Sequence, residues 1–396
     1  MTTDKEKTTS LDDMFGDFAE LVLENVTIEL DELKLALRPM VQQMAKAAAK
    51  PALEMPKSLI PASFKPPLGE YTGTIQEITL GATKGQGGSR SHTVTIGGHT
   101  APAWDLFQAP PKNPPIVAAD VFDMPISLAH AVKTHYKEVR DDPAEWAKLA
   151  VDKFGADVIT LHLISTDRAL GDTSPKDAAK TVEDVLQAVK VPILIGSAGD
   201  PEKDGPVLAK AAEVCEGERT LLCSATVDVY EDIAIAAKKH DQIVLSWTSI
   251  DINQQKELNR RLFDWLTPEQ IVIDPTTAAL GYGLEYAFTI MQRMRLGGLL
   301  GDEELRFPIS SGTTNAWAAR EAWMNVPELG PRELRGPIWE SVTALALLLA
   351  GNDLFMMMHP AAIKTVHDLV DWLKERQKVT AEDYPDWTTM AIPEGA

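Results

Sequence analysis

Eight short apolar runs, each followed by a helical stretch, occupy the chain from residue 115 onward. The runs are continuous rather than alternating in polarity, which is typical of strands buried on both faces of a parallel sheet. They are Ile116–Ala119, Val158–Leu161, Val191–Ile195, Thr220–Cys223, Ile243–Leu245, Ile271–Ile273, Phe307–Ile309 and Leu354–Met358. Consecutive strand–helix units of this number predict an α/β fold of the TIM (β/α)8 barrel type.

The stretches between the apolar runs repeat their hydrophobic residues with a helical period. The clearest are Ser174–Lys190, Asp228–Lys239, Glu285–Leu296 and Ala362–Lys378. Ser174 followed by Pro175 is typical of a capped helix start. The longest apolar run, Ala344–Ala350, is far shorter than the roughly 20 residues of a membrane-spanning helix, so it predicts a buried helix.

The region ahead of the barrel divides at a proline-rich stretch. Residues 1–60 are predicted to form an acidic, partly helical or disordered N-terminal extension, since residues 1–36 carry ten acidic and three basic side chains. Residues 61–110 are predicted to hold an N-terminal β-hairpin and linker, with strands within Tyr71–Leu80 and His92–Ile96. The barrel is assigned to residues 111–380, and a C-terminal tail to residues 381–396.

A glycine-rich stretch, Gly81–Gly88, joins the two hairpin strands. Its glycines lack the spacing of a phosphate-binding P-loop and do not open a helix. The pattern therefore favours a flexible hairpin loop. The adjoining Ser89–Arg90–Ser91 could bind an anion, or a carboxylate elsewhere on the surface.

The charge balance excludes some classes of partner. A net charge of -20 and a pI near 4.8 argue against nucleic acid and anionic membranes, which require a basic face. Met1–Ser10 lacks the apolar region of a secretory signal, so we expect a cytoplasmic protein. The two cysteines, Cys215 and Cys223, are too few for an iron–sulfur cluster and are expected to be buried thiols.

Function in a TIM barrel resides at the C-terminal ends of the strands. The segment Asp274–Tyr286 leaves an apolar strand, enters an amphipathic helix and crowds one Asp, two Thr and two Gly into the turn. Such a turn presents backbone amides and small hydroxyls to a ligand. The other strand ends contribute Asp120, Asp123, His162, Gly196–Asp200, Ser224, Trp247–Asn253, Gly312–Trp317 and His359.

This set does not predict a catalytic or metal site. No lysine ends a strand, and a two-histidine metal site at His162 and His359 is less favoured than two structural histidines. Asp120 and Asp274 could act as general bases, although an Asp at a strand end often only caps the next turn. Ser311–Asn315 could grip a phosphate, but the loop after the eighth strand lacks the glycines of a matching half-site.

Four segments, in order along the chain, carry a family resemblance. They are Gly87–Gly98, Asp251–Asn259, Asp274–Tyr286 and Gly312–Asn315. With the barrel pattern they cover residues 70–375, and they resemble the small (delta) subunit of the corrinoid iron–sulfur protein, part of the acetyl-CoA decarbonylase/synthase system of the Wood-Ljungdahl pathway.

The resemblance implies that this chain is one of the two subunits of a methyl carrier. In that family a corrinoid (cobamide) is shared with a large (gamma) subunit, which forms a heterodimer with the small one and holds the [4Fe-4S] cluster. The implied partners are this large subunit, a methyltransferase using methyltetrahydrofolate or methyltetrahydropterin, and acetyl-CoA synthase/CO dehydrogenase. The chain lacks an Asp-x-His-x-x-Gly motif, so no histidine ligand to cobalt is expected from it.

The resemblance also places residues near the corrinoid. They are Asp251, Asn253, Thr276, Thr277, Gly281, Gly283, Thr313, Thr314 and Asn315. Trp247, Trp317 and Trp323 could pack against the corrin, against the large subunit or in the core.

Two other functions fit the same barrel. A pterin-binding TIM-barrel methyltransferase would bind its pterin and act on free corrinoid alone, whereas a carrier subunit needs its partner. A scaffold that only positions the large subunit would tolerate changes in the strand-end loops without loss of corrinoid.

Overall fold

The computed structural model describes residues 68–103 and 111–375. Its strands are β1 Ile78–Leu80, β2 Val94–Ile96, β3 Ile116–Phe122, β4 Val158–His162, β5 Ile193–Gly196, β6 Leu221–Ala225, β7 Ile243–Trp247, β8 Ile271–Asp274, β9 Ser310–Gly312 and β10 Leu354–Met357. Its α-helices are α1 His130–Tyr136, α2 Pro143–Asp152, α3 Pro175–Ala188, α4 Asp204–Val214, α5 Tyr230–Lys239, α6 Ile252–Leu262, α7 Leu284–Leu299, α8 Arg320–Trp323, α9 Arg332–Ala350 and α10 Pro360–Glu375.

Two predicted regions, the extension over residues 1–60 and the tail over residues 381–396, lie outside the described residues. Among the helices that are described, none is both long and apolar enough to cross a membrane.

Strands β3 to β10 form one parallel sheet in the order β8-β7-β6-β5-β4-β3-β10-β9. The two end strands meet through a bridge between Ile273 and Ile309, in which the Ile273 N–H donates to the Pro308 carbonyl oxygen at 2.9 Å. The sheet therefore closes on itself, and the predicted TIM barrel is confirmed.

The hairpin of β1 and β2 packs into the N-terminal mouth of the barrel. The two strands pair antiparallel, Ile78 with Ile96 and Leu80 with Val94, as predicted. Ile78, Leu80 and Ile96 are buried in one cluster with inward-facing strand residues such as Leu194. The hairpin thus covers the N-terminal end of the barrel, and the C-terminal ends of the strands lie at the opposite end.

The seventh barrel strand differs from the prediction. It was expected over Phe307–Ile309, but the ladder to β10 falls on Ser310–Gly312. Phe307 and Ile309 are still buried, just ahead of the strand. Ser310 and Ser311 are fully buried because their hydroxyls find partners, so this strand lacks the apolar signal of the others.

Arg90, which precedes β2 of the hairpin, is a structural residue at the N-terminal end of the barrel. Its guanidinium lies 2.8 Å from the Glu218 carboxylate and donates to the carbonyl oxygens of Leu186 and Val189 at 3.0 and 2.9 Å. The side chain is almost fully buried. Of the two sequence interpretations, binding of a carboxylate is confirmed.

A buried charge network joins the hairpin region to the barrel. Asp353, just before β10, forms an ion pair with Arg295 of α7 and lies 2.8 Å from His99 Nε2. Burial alone would raise the pKa of Asp353, but Arg295 and His99 outweigh burial and lower it. A depressed folded-state pKa means that this stabilisation is present above the ordinary Asp range and lost as the pH falls.

Substitution Asp353→Asn is expected to lower the free energy of unfolding by about 3–5 kcal/mol, because it leaves the buried Arg295 charge uncompensated. Urea unfolding followed by circular dichroism measures the loss. Glu213→Gln, which removes an exposed acid beside Lys210, is the control and should change stability little. Equal stabilities of the two variants would contradict the role assigned to Asp353.

Candidate ligand site at the C-terminal end of the barrel

The loop after β8 is held in shape by its own polar groups. The Thr276 N–H donates to Asp274 Oδ1 at 2.8 Å, and the Thr276 hydroxyl donates to the Thr248 carbonyl oxygen at 2.7 Å. These bonds hold Thr276 at a φ of 74°, a left-handed conformation that is rare for a β-branched residue. Asp274 is therefore the turn cap that the sequence offered as the alternative to a general base.

A second set of bonds joins this loop to the one after β9. Thr277 Oγ1 lies 2.9 Å from Ser311 Oγ, which lies 2.9 Å from Thr313 Oγ1. Asn315 Nδ2 donates to the Thr277 carbonyl oxygen at 3.0 Å. Thr277 and Thr313 are buried and Asn315 is exposed, so only part of the network meets solvent.

Thr314 connects the same network to the first barrel strand. Its hydroxyl donates to Asp120 Oδ2. His162 Nε2 lies 3.1 Å from Asp120 Oδ1, although the contact is not an aligned hydrogen bond, and the imidazole stacks on Phe122 at 5.0 Å. His162 thus has the structural contacts that the sequence favoured for it.

Asp251 and Asn253 lie on the neighbouring loop, at the start of α6. Asp251 caps this helix by accepting hydrogen bonds from the N–H groups of Asn253 and Gln254 at 2.8 and 3.1 Å. The Asn253 side chain is exposed and forms no hydrogen bond within the described part of the chain. A bond from the Ile250 N–H to the Pro275 carbonyl oxygen, 3.0 Å, ties this loop to the β8 loop.

Gly281 and Gly283 close the β8 loop before α7. Both have positive φ, 71° and 94°, which a glycine adopts without strain. Their N–H groups, and that of Ala278, donate to no acceptor among the described residues. These N–H groups are therefore backbone donors without an acceptor in that part of the chain, beside the exposed Tyr282 and Tyr286.

Seven of the nine predicted site residues thus lie on two interlocked loops, those after β8 and β9. Asp251 and Asn253 lie on the adjoining loop and do not join the hydroxyl network. Trp317 is a core residue that packs against His359 at 6.0 Å, whereas Trp323 is exposed.

Two carboxyl groups near the site have strongly shifted pKa values. Burial raises the pKa of Asp274 to about 6, despite hydrogen bonds from Thr276 and Ser310. Burial raises the pKa of Glu340 to about 8, although the N–H groups of Met358 and His359 donate to it. Glu340 positions the loop after β10 and was missed in the sequence, where its only signal is an acid inside the apolar stretch of α9.

The arrangement does not resemble a metal or nucleophile site within the described residues. No group of three His, Cys, Asp or Glu side chains there is suited to a metal. His359 stacks on Trp317, has its pKa lowered to about 4 by burial, and accepts a bond from the Ala361 N–H. Cys215 and Cys223 are free and buried, as expected, and burial raises both thiol pKa values.

The fold and the candidate site define a class: a TIM-barrel protein whose C-terminal strand ends present hydroxyl, amide and backbone donors. A family model described as CO dehydrogenase/acetyl-CoA synthase delta subunit matches residues 77–327. The chain belongs to this family.

Named relatives agree with the family match. The chain is 54% identical to the acetyl-CoA decarbonylase/synthase complex subunit delta of Archaeoglobus fulgidus over 88% of this chain and 79% of that protein. It is 54% identical to subunit delta 1 of Methanosarcina thermophila over 87% and 81% of the two chains. Among solved structures, it is similar to a Xanthomonas albilineans dihydropteroate synthase, with 15% identity, coverage of 67% and 94%, and a TM-score of 0.46.

The raised pKa of Asp274 predicts a pH-dependent stability. Because the folded-state pKa is about 6 and the ordinary value is 3.8, this group lowers the free energy of unfolding as the pH rises from about 4 to 6. Asp274→Asn keeps an acceptor for Thr276 but cannot ionise. As the pH rises over this range, the free energy of unfolding of the variant should therefore increase by about 2–3 kcal/mol relative to that of the unsubstituted protein.

Urea titrations at pH 4.5, 6 and 7.5 measure this difference. Asp228→Asn, a change at an exposed acid on the β6 loop, is the control and should follow the unsubstituted protein at each pH. Parallel stability curves for Asp274→Asn and the unsubstituted protein would show that Asp274 titrates normally.

Proposed function

We propose that the chain is the small subunit of a corrinoid methyl carrier, and that its barrel end covers one face of a corrinoid at the interface with a large iron–sulfur subunit. The observation that carries the proposal is family membership combined with a functional end of neutral polar donors. The relatives' names place those proteins in the acetyl-CoA decarbonylase/synthase complex. The proposed route runs from methyltetrahydrofolate or methyltetrahydropterin to acetyl-CoA synthase, in the cytoplasm.

The donor set fits a corrinoid. A corrin is broad, nearly flat and fringed with amide groups, each of which both donates and accepts hydrogen bonds. The exposed amides of Asn253 and Asn315, with the free N–H groups of Ala278, Gly281 and Gly283, can pair with such a fringe. When bound, the corrinoid supplies the cobalt centre that exchanges the methyl group.

The buried members of the network have a different role. Thr277 and Thr313 have almost no exposed surface, so they hold the two loops at the required spacing rather than touch a ligand. Asp251 has one carboxylate oxygen engaged by two helix amides, so it positions Asn253. Contact with the corrinoid is therefore assigned to Asn253, Asn315 and the β8 loop.

The same end of the barrel exposes apolar side chains suited to a protein partner. Tyr282, Tyr286 and Trp323 are 67%, 64% and 43% exposed, and Ile250 and Met324 are 37% exposed each. Aromatic residues and Met are enriched at the cores of protein interfaces. We assign this surface to the large subunit, which would enclose the corrinoid from the other side and exclude water.

The proposal predicts that corrinoid retention requires two chains. This chain alone and its complex with the large subunit are incubated anaerobically with cobalamin, desalted and examined by UV-visible spectroscopy. A base-off corrinoid spectrum retained only by the complex is expected. Corrinoid loss from the complex, with binding of a pterin by this chain alone, would support the pterin-binding methyltransferase instead.

Loop variants test the residue assignment. Asn253→Ala and Asn315→Ala should each raise the rate of cobalamin dissociation from the complex by about tenfold, the loss of one buried hydrogen bond. Asn113→Ala removes a half-buried amide that bonds Glu77 at the opposite end of the barrel, and should not change this rate. Unchanged dissociation in the two loop variants would favour a scaffold that does not touch the corrinoid.

A further inference from the structure

A cavity opens at the C-terminal ends of β5, β6 and β7, beside the interlocked loops. Its volume is about 240 Å³, and it is lined by Ser197, Gly199, Pro201, Asp204, Cys223, Ser224, Thr226, Val229 and Trp247. Ligand pockets for whole small molecules usually span about 300–1,000 Å³. The cavity therefore has room for one arm of a larger ligand.

Asp204 gives the cavity an acceptor. This residue of the first turn of α4 is only 4% exposed; the Ser197 hydroxyl and the N–H groups of Gly199 and Asp200 approach its carboxyl group, but its Oδ1 atom is buried with no well-formed hydrogen bond among the described residues. A buried carboxylate oxygen without a partner costs stability unless a ligand satisfies it. Asp204 is therefore poised to accept a bond from a group that enters the cavity.

Other residues of the lining give the cavity donors. Trp247 has an indole N–H that can only donate, and Ser224 and Thr226 have hydroxyls; none of these three side-chain groups forms a hydrogen bond within residues 68–103 and 111–375. The Ser197 hydroxyl already donates to the Cys223 carbonyl oxygen at 3.2 Å. The cavity thus presents a free acceptor and free donors together.

This combination favours a neutral group that both donates and accepts hydrogen bonds, and on an amide-fringed corrin that group is a carboxamide. A carboxylate would face Asp204 with a like charge, and an ammonium or guanidinium would leave the Trp247 N–H without an acceptor. A primary carboxamide donates through its NH₂ group and accepts through its oxygen, so it satisfies both walls.

One loop of the cavity lining is tied to a neighbouring loop by ion pairs. Arg168, from the β4 loop, forms a two-point bond with Asp200 at 2.6 and 3.0 Å and a further bond with Glu202. Paired Arg–carboxylate bonds hold a defined geometry. The loop that carries Gly199 and Pro201 over the cavity is thereby anchored to its neighbour.

The cavity also adjoins the site already described. Trp247, which forms its wall, is the register partner of Asp274 in the barrel ladder. A broad ligand lying over the β8 and β9 loops can therefore reach the cavity with a peripheral arm.

We infer that the cavity above β5–β7 binds one peripheral primary carboxamide of the corrinoid, which accepts from Trp247 or Thr226 and donates to Asp204. This inference rests on the proposed function. According to this inference, Asp204, Thr226 and Trp247 fix the rotation of the macrocycle about its own axis. The two interlocked loops alone would leave this rotation free.

Cobalamin isomers in which a single peripheral amide is hydrolysed to a carboxylate provide the test. Each isomer is loaded at pH 8 onto the full chain in complex with its large subunit, and dissociation is followed by absorbance. One positional isomer is expected to dissociate at least about tenfold faster than cobalamin, because its new carboxylate faces Asp204. Equal rates for all isomers would overturn the assignment.

Substitution at the cavity separates this effect from others. Asp204→Asn should bring the weak isomer to within about twofold of cobalamin, since an amide can donate to the new carboxylate. Asp228→Asn, an exposed change on the β6 loop outside the cavity, should leave the penalty intact. If the isomer still dissociates much faster than cobalamin from the Asp204→Asn complex, the peripheral carboxamide must bind elsewhere.

A further outcome of the experiment shows whether the amide in the cavity comes from the corrinoid or from the large subunit. If an Asn or Gln of the large subunit fills the cavity instead, Asp204→Asn and Thr226→Val will weaken the complex without corrinoid, and no isomer will be penalised, which overturns the inference. If the unsubstituted complex does not retain cobalamin at all, the proposed function itself fails, whereas retention without isomer preference removes only the cavity assignment.

Discussion

Closure of the parallel sheet between β8 and β9 is the constraint on which the rest of the structure depends. The main chains meet there through a bridge at Ile273 and Ile309, and β9 itself spans three residues. Side chains extend this seam, because Ser310 bonds Asp274 and Ser311 bonds Thr277. The polar groups that mark the functional end thus also complete the barrel.

Because the same polar groups close the sheet and shape the candidate site, closure determines how the site is organised. Hydroxyls that close the seam must be buried, so Thr277 and Thr313 lie below the surface, while Asn315 and the glycine-containing loop remain accessible above them. The result is a hydrogen-bonded platform with backbone and amide donors, flanked by exposed aromatic side chains. Such a platform suits the broad, amide-fringed ligand of the proposed function.

Sequence periodicity predicted the barrel because strands buried on both faces are continuously apolar over several residues, as Ile243–Leu245 and Ile271–Ile273 are. The same rule misplaced β9, whose Ser310 and Ser311 are buried by hydrogen bonding rather than by hydrophobicity. Most of the candidate site could be predicted from the residues that follow each predicted strand. The carboxylate-binding role of Arg90 was among the sequence interpretations, but Asp204 and Glu340 could not be assigned roles, since their burial and partners arise only from tertiary packing.

The most direct test of the central claim is hydrogen–deuterium exchange of the complex with the proposed large subunit, compared with and without cobalamin. The account predicts that the backbone amides of Ala278, Gly281 and Gly283, which lack acceptors within the described chain, exchange more slowly once cobalamin is bound. Amides on the hairpin at the sealed end, such as those of Val94–Ile96, should not change. Unchanged exchange in the β8 loop, with cobalamin retained, would contradict the claim that this end of the barrel holds the corrinoid.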